Sequence, residues 1–236
     1  MQQQELSLII PTYNEKEIIS KALQEIFTNL KHHNIDAEVL IVDDSRDGTE
    51  KILAEISKKY KKLKVIHREG KSGVGSAIRA GIENVSGKDA IVFMSDSPDD
   101  IKYLPSIVEK LRKGYALVHT SRFMKESKIT GYPFVKTVAN RLANFFVRVA
   151  FLRFDLKDFT SLFKGFDRQA IIKLNLEANE FDVGVEIAMK SIKKGLRVTE
   201  VPVSWMERKA GKSKLLLKKQ AGHFIKRVLK VLFLYW

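Results

Sequence analysis

Four short apolar runs divide the first part of the chain: LSLIIP (6–11), AEVLIVDD (37–44), LKVIHR (63–68) and DAIVFM (89–94). Runs of this length that do not alternate with polar residues suit parallel strands covered on both faces. Helix-like segments fall between them, near residues 15–30, 48–61 and 74–84. Strand alternating with helix predicts an open α/β sheet with right-handed crossovers. Ligands on such sheets bind beyond the carboxyl ends of the strands. Here those ends are residues 11–15, 43–47, 68–75 and 95–100, and all four are expected to line one crevice.

The second half is less regular. YALVHTSRF (115–123) and LRVTEVPVSW (196–205) read as further strands, residues 135–152 as a helix apolar on much of its circumference, and residues 214–236 as a last helix. There is no internal repeat and no low-complexity tract. The chain of 236 residues contains no cysteine, which excludes disulfides and thiolate metal sites and suits a reducing compartment. No apolar stretch approaches the roughly 18–20 residues that span a bilayer. The polar opening Met1–Glu5 is not expected to be a signal peptide.

The formal net charge is +14, yet acids gather at two strand ends. IVFMSDSPDD (91–100) ends in Asp96, Asp99 and Asp100. A surface turn would account for them, and so would a metal site handling an anionic substrate. VDDSRDGT (42–49) places Asp43 and Asp44 side by side, where two like charges need donors or a cation. Asp47 and Gly48 suit a turn and a helix cap. IPTYNE (10–15) adds the Tyr13 ring and the Glu15 carboxylate at the neighbouring strand end. REGKSGVGSAIRAG (68–81) joins basic residues to glycines at a helix start. Such glycines either let backbone N–H groups approach phosphate or allow tight packing, and the sequence leaves both readings open.

Taken in order, these motifs resemble glycosyltransferase family 2, in the branch of dolichol-phosphate mannose synthases and polyprenyl-phosphate glycosyltransferases. TSRF (120–123), DFTSLFKGF (158–166) and VPVSWMERKAGKSK (201–214) extend the resemblance over nearly the whole chain. It implies a GT-A, Rossmann-like mixed sheet flanked by helices over residues 1–213, and a basic amphipathic helix over 214–236. The implied donor-binding residues are Pro11, Tyr13, Glu15, Val42, Asp44, Lys71, Ser95, Asp96, Arg208 and Lys214. The last two belong to a late basic loop over the donor phosphates. The family's Asp-x-Asp is incomplete here: Met94-Ser95-Asp96 lacks the first acid. Asp96 matches the second, which in the family holds the metal, and Asp99 is expected to compensate. Such oxygen ligands suit Mg²⁺ or Mn²⁺.

The implied reaction moves a hexose from a nucleotide-sugar, GDP-mannose or UDP-glucose, to dolichyl or polyprenyl phosphate, with inversion. Asp96, Arg122 and Arg208 are the implied catalytic residues. Arg122, Lys136 and Asn140 are the implied holders of the acceptor phosphate. Lys136 and Asn140 lie four apart, on one helical face. A phosphate monoester has a second pKa near about 6, so it is already a nucleophile at neutral pH and needs no general base.

A lipid acceptor also fits the tail. Residues 208–236 carry nine Lys or Arg and no acid. Leu217, Ala221, Phe224, Ile225, Val228, Leu232 and Tyr235 recur at helical spacing, while Lys219, His223, Lys226 and Lys230 fall on another face. That pattern suits a helix lying in an anionic membrane surface, joined by Phe145, Phe146, Phe151 and Leu152, and competes with simple burial against the sheet. A peripheral place on the cytoplasmic face is expected, or an anchored one if the natural chain continues beyond Trp236. Two rivals remain. A soluble family member attacking with a saccharide or protein hydroxyl needs a base, for which Glu186 is the best placed. A nucleic-acid-binding protein would suit the pI of 9.7, but no recognisable motif supports it and the acid-lined crevice opposes it. No nucleic-acid partner is expected.

Overall fold

The structure, a computed structural model, describes residues 5–70, 73–96, 99–206 and 217–235, with side chains in the last segment described from residue 220. Its elements alternate through the first half: β1 (Leu6–Thr12), α1 (Ile19–His32), β2 (Glu38–Asp43), α2 (Thr49–Lys59), β3 (Leu63–His67), α3 (Val74–Asn84) and β4 (Asp89–Val92). A 3₁₀ turn at Ile101–Tyr103 leads into α4 (Leu104–Arg112) and β5 (Leu117–Ser121). Then come β6 (Ile129–Thr130), α5 (Phe134–Ala150), β7 (Lys164–Asp167), α6 (Arg168–Ile172) and α7 (Val183–Lys193). The chain continues through β8 (Val198–Pro202) and β9 (Trp205–Met206) to α8 (Leu217–Leu234).

Seven strands form one mixed sheet in the order β3-β2-β1-β4-β7-β5-β8. β1 to β4 are mutually parallel where they pair, as the apolar runs predict, and β8 is parallel to β5. β7 runs antiparallel between β4 and β5. This strand was not foreseen as one, because KGFD carries no apolar run. Gly165 is what lets it lie under α4: a side chain there would run into Ile107 and come within 3.0 Å of Leu111. β6 and β9 form a separate two-stranded ribbon.

Both faces of the sheet are covered at β1, β2 and β4, whose successive apolar residues enter the two cores in turn. Leu8 and Ile10 face one way, into a core shared with Leu23 and Ile26 of α1, Leu53 of α2 and Ile107 of α4. Ile9 faces the other way, with Ile78 and Ile82 of α3, Ile171 of α6 and Ile187 of α7. Each side chain buried this completely contributes about 1.5–3 kcal/mol.

A third cluster ties the last helix to the body. Val231 of α8 is buried with Val147 of α5, Phe159, and Val185 and Met189 of α7. Lys193 at the end of α7 donates to the Leu232 and Tyr235 carbonyls, 2.7 and 3.0 Å away, satisfying acceptors at the end of α8. Arg227 also turns inward, to Asp182 (2.9 Å), Glu186 (3.1 Å) and Glu177 (3.2 Å), and Lys230 contacts Glu177 at 2.5 Å. The basic residues of α8 therefore do not form one outward face. The reason is the acidic patch on α7 and the loop before it, which composition does not reveal. The boundary expected after residue 213 lies outside the described residues.

Candidate active site

The carboxyl ends of β1 and β2 are bound to each other. The Asn14 amide donates to Ser45 Oγ at 2.7 Å, the Arg46 amide to Asn14 Oδ1 at 2.8 Å, and the Glu15 amide to Thr49 Oγ1 at 3.0 Å. Ser95, beyond β4, is buried and donates to Glu15 at 2.6 Å. Pro11 is buried within β1, and Tyr13 stands 48% exposed at its end. Val42 is fully buried in the core under α3, so it presents no side-chain atom to the crevice.

The paired acids have the donors that their repulsion demands. Asp43 meets Nδ1 of His67 at 2.8 Å and accepts from the Ser45 amide at 3.2 Å. Asp44 is gripped by both prongs of Arg68, Nε to Oδ1 at 2.8 Å and Nη2 to Oδ2 at 2.6 Å. Arg68 Nη1 donates onward to Ser76, at 3.0 Å to both its carbonyl and its hydroxyl. Bidentate pairing fixes orientation as well as charge. A cleft of about 540 Å³ opens beside these groups, lined by Ser45, Arg46, Glu50, His67, Arg68, Glu69 and Gly70.

The glycines at the start of α3 make room for backbone. A side chain at Gly73 would run into the Asn179 carbonyl, and one at Gly75 would lie 2.6 Å from the Ala178 and Glu180 carbonyls. The Ser76 amide is committed to Asn179 O at 3.2 Å. Of the two readings left open by the sequence, close packing accounts for Gly73 and Gly75. Lys71, in the same stretch, lies outside the described residues, as do Arg208 and Lys214.

The acids beyond β4 divide by role. Asp100 caps the 3₁₀ turn, accepting from the Lys102 amide at 3.0 Å. Asp96 is half-buried. Asp99 is buried, and its Oδ1 has no hydrogen-bond partner among the described residues. Burial pushes its carboxyl up to about 7, with Arg122 opposing and the negative charges of Asp158 and Asp96 adding to the rise. Among the described residues no group of three or more acidic or imidazole side chains gathers as a metal cage. Asp96 and Asp99 thus offer a cation an incomplete, oxygen-only set.

Arg122, just past β5, is the centre of the other half. Its Nε and Nη2 grip Asp158 at 2.7 and 3.0 Å, and Nη2 also donates to Thr160 Oγ1 at 2.8 Å. The pair is buried, the Asp158 side chain completely and that of Arg122 to 11% exposure. Burial alone would raise Asp158, but the Arg122 charge and hydrogen bonds outweigh it and hold this carboxyl below its usual range. Arg122 Nη1 also reaches the Tyr132 hydroxyl at 3.5 Å, and that hydroxyl contacts Asn140 of α5. The Tyr132 ring packs edge-on against Trp205, whose backbone bridges to Asp99. The fold therefore brings Arg122 and Asn140 together, with Asp99 beside them, and places Lys136 one turn before Asn140. Asp158 and Tyr132 were not singled out from the sequence. Asp158 lay inside a quoted motif, but its pairing spans 36 positions.

Glu186 is not available as a base. It is fully buried, accepts from the Glu177 and Ala178 amides, and pairs with Lys190 at 2.9 Å and with Arg227.

A mixed α/β sheet with acids at the β2 and β4 ends and an anchored arginine at the β5 end defines a GT-A-type glycosyltransferase domain. The chain belongs to glycosyl transferase family 2, whose model matches residues 7–174. It is 31% identical over 214 residues to a dolichol-phosphate mannosyltransferase of Pyrococcus furiosus, covering 89% of this chain and 59% of that protein. It is 30% identical over 207 residues to glycosyltransferase AglD of Haloferax volcanii, covering 85% of this chain and 33% of that protein. Both relatives are thus considerably longer. The fold matches glucosyl-3-phosphoglycerate synthase from Mycobacterium tuberculosis, solved with Mn²⁺, UDP and phosphoglyceric acid. That match has a TM-score of 0.72 at 16% identity, covering 98% of this chain and 79% of that one. A second structure of that enzyme, with Mn²⁺ and UDP-glucose, gives 0.69 at 17% identity, covering 97% and 78%.

Proposed function

We propose that this glycosyltransferase moves a hexose from a nucleotide-sugar to a polyprenyl or dolichyl phosphate at a membrane surface, inverting the anomeric centre. The observation that carries this reading is the buried Arg122–Asp158 pair with Tyr132 and Asn140 beside it. An arginine held this firmly, with Nη1 turned to a hydroxyl, suits a phosphate oxygen rather than a sugar hydroxyl. The Pyrococcus relative's name points to the same acceptor class. A phosphate dianion attacks without a base, which agrees with the burial of Glu186.

On the donor side, Asp44 and Arg68 read the base, Tyr13 and Glu15 flank it, and Ser95 and Asp96 face the diphosphate. Lys71, Arg208 and Lys214 are assigned to the donor by resemblance, and GDP-mannose and UDP-glucose are the leading donors. Asp96 and Asp99 fit Mg²⁺ or Mn²⁺: the buried Oδ1 of Asp99, without a hydrogen-bond partner among the described residues, is what a cation would satisfy. When bound, the ion supplies Lewis-acid stabilisation of the leaving diphosphate. The M. tuberculosis synthase was solved with Mn²⁺ or Mg²⁺ together with UDP.

Two adjoining helices provide the membrane surface. α5 exposes Phe134, Val135, Leu142, Phe145 and Phe146, and α8 exposes Ile225, Leu229, Phe233 and Leu234. Such an area suits the interfacial region of a bilayer. Among the described residues no helix is long and apolar enough to cross a membrane. A thermal-shift screen of nucleotide-sugars, with and without Mn²⁺, tests the donor half. A Mn²⁺-dependent rise with one donor supports it, and no rise with any nucleotide-sugar contradicts it. Arg122→Ala tests the acceptor half: acceptor KM should rise while donor affinity holds, and a fall in donor affinity would move Arg122 to the donor side.

A further inference from the structure

One buried group beneath the acceptor side is not used by the reading above. Lys164 lies on β7 in the middle of the sheet and is 1% exposed. Its Nζ donates to the Gly184 carbonyl at 2.7 Å and to the Phe159 carbonyl at 3.3 Å, and lies 3.2 Å from Nδ1 of His119. His119 is its registered neighbour on β5, fully buried, with its ring tilted against that of Phe159. An ammonium has three N–H donors, and these contacts account for three. Among the described residues no carboxylate lies within ion-pair distance of Lys164. A lysine buried without an acidic partner is costly, and a hydrophobic residue would fill the same place at less cost.

What the ammonium holds is the backbone next to Asp158. The Phe159 amide donates to Asn144 Oδ1 at 2.7 Å, while its carbonyl accepts from Lys164. Both peptide groups of Phe159 are therefore anchored, one to α5 and one to β7. Asp158 immediately precedes it, and its carboxylate is what aims Arg122. The bond to Gly184 ties the same point to the first turn of α7.

We propose that Lys164 is a positioning residue for the acceptor side: by holding the Phe159 and Gly184 carbonyls together, it sets the carboxylate that aims Arg122. This inference rests on the reading of Arg122 as a phosphate-holding residue. Burial lowers Lys164 to about 7, with Asp158 raising it and Arg122 lowering it. The other charged or titratable groups around it are His119 on β5 and Glu200, the partner of His119 on β8, with Arg153 acting on His119 from beyond α5.

The test compares wild type, Lys164→Met and Arg122→Ala with vesicle-borne polyprenyl phosphate, alongside calorimetry with a short-chain polyprenyl phosphate. Calorimetry reads acceptor affinity, and the kinetics read the two KM values. Lys164→Met should weaken acceptor binding and raise acceptor KM by about tenfold, a 1.4 kcal/mol effect, with donor KM unchanged. A folded Lys164→Met with wild-type acceptor KM overturns the inference. Lys164→Gln, a shorter side chain that keeps a polar head, is the second variant should Lys164→Met not fold, and a folded Lys164→Gln with wild-type acceptor KM overturns the inference equally. An Arg122→Ala protein with unchanged acceptor KM instead overturns the reading on which the inference rests.

Discussion

Asp158→Asn removes one charge from the most buried ion pair near the site and keeps the shape of the side chain. Asp158 accepts from Arg122 at two nitrogens, from the Arg122, Thr160 and Ser161 amides, and from the Thr160 hydroxyl. Taking away one partner of a buried pair costs about 3–5 kcal/mol, because the other charge is left uncompensated. Asn can still accept at Oδ1, so the expected loss is about 2–4 kcal/mol. For a chain of this size each kcal/mol moves Tm by roughly 2–4 °C, so a loss near ~3 kcal/mol means a fall of roughly 6–12 °C. The pair also has a signed pH dependence. A carboxyl held below its ordinary range stabilises the fold above its unfolded pKa, and that stability is lost as pH falls through the folded value. The acid limb of Tm against pH should therefore flatten in Asp158→Asn. Differential scanning calorimetry gives both quantities, and acceptor KM should rise in the same variant. A Tm within about 2 °C of wild type together with an unchanged acceptor KM would refute the role assigned to the pair.

Other outcomes follow from the same geometry. Asp96→Asn should lose most activity with Tm unchanged, and near wild-type turnover at limiting Mn²⁺ would contradict its assignment. Asp99 has its carboxyl raised to about 7, so in the absence of a cation it is protonated below that pH, and its ionisation destabilises the fold as pH rises from the ordinary carboxyl range. Half-saturation by Mn²⁺ should accordingly improve as pH rises through about 7, and Asp99→Asn should flatten the dependence. Replacing Phe145 and Phe146 with Ser should weaken sedimentation with vesicles while leaving Tm in place, since both rings are more than half exposed. Truncation after Lys214 should instead lower Tm, because it removes Val231 and Arg227 from the body; an unchanged Tm would contradict the docking of α8.

The legible part of this fold was the part whose residues answer to local rules. β1 to β4 are continuous apolar runs, and Ile19, Leu23, Ile26 and Leu30 mark the buried face of α1 at helical spacing. β7 broke those rules because its first residue is a buried lysine, stabilised by carbonyls and an imidazole nitrogen brought in from three other segments. Arg227 broke them as well. A helix apolar on two faces does not say which of its charges turns inward, and the acids that decide it are 41 to 50 positions away. The motifs pointed to Arg122 and Asp44 but not to their partners. Asp158 and Arg68 become visible once β5 and β7, and β2 and β3, lie side by side. Gly73 and Gly75 carried a signal with two meanings, and the carbonyls of residues 178–180 decided between them.

The central claim is that the nucleophile is a lipid phosphate oxygen held at Arg122. It is tested most directly by offering the protein polyprenyl phosphate and the matching polyprenol in parallel vesicles, with the donor selected by thermal shift, and determining the anomeric configuration of the product by NMR. The account predicts transfer to the phosphate alone, with a β-linked product from an α-linked donor, and loss of that transfer in Arg122→Ala. Equal transfer to the alcohol, or a product that retains the donor's configuration, would contradict it.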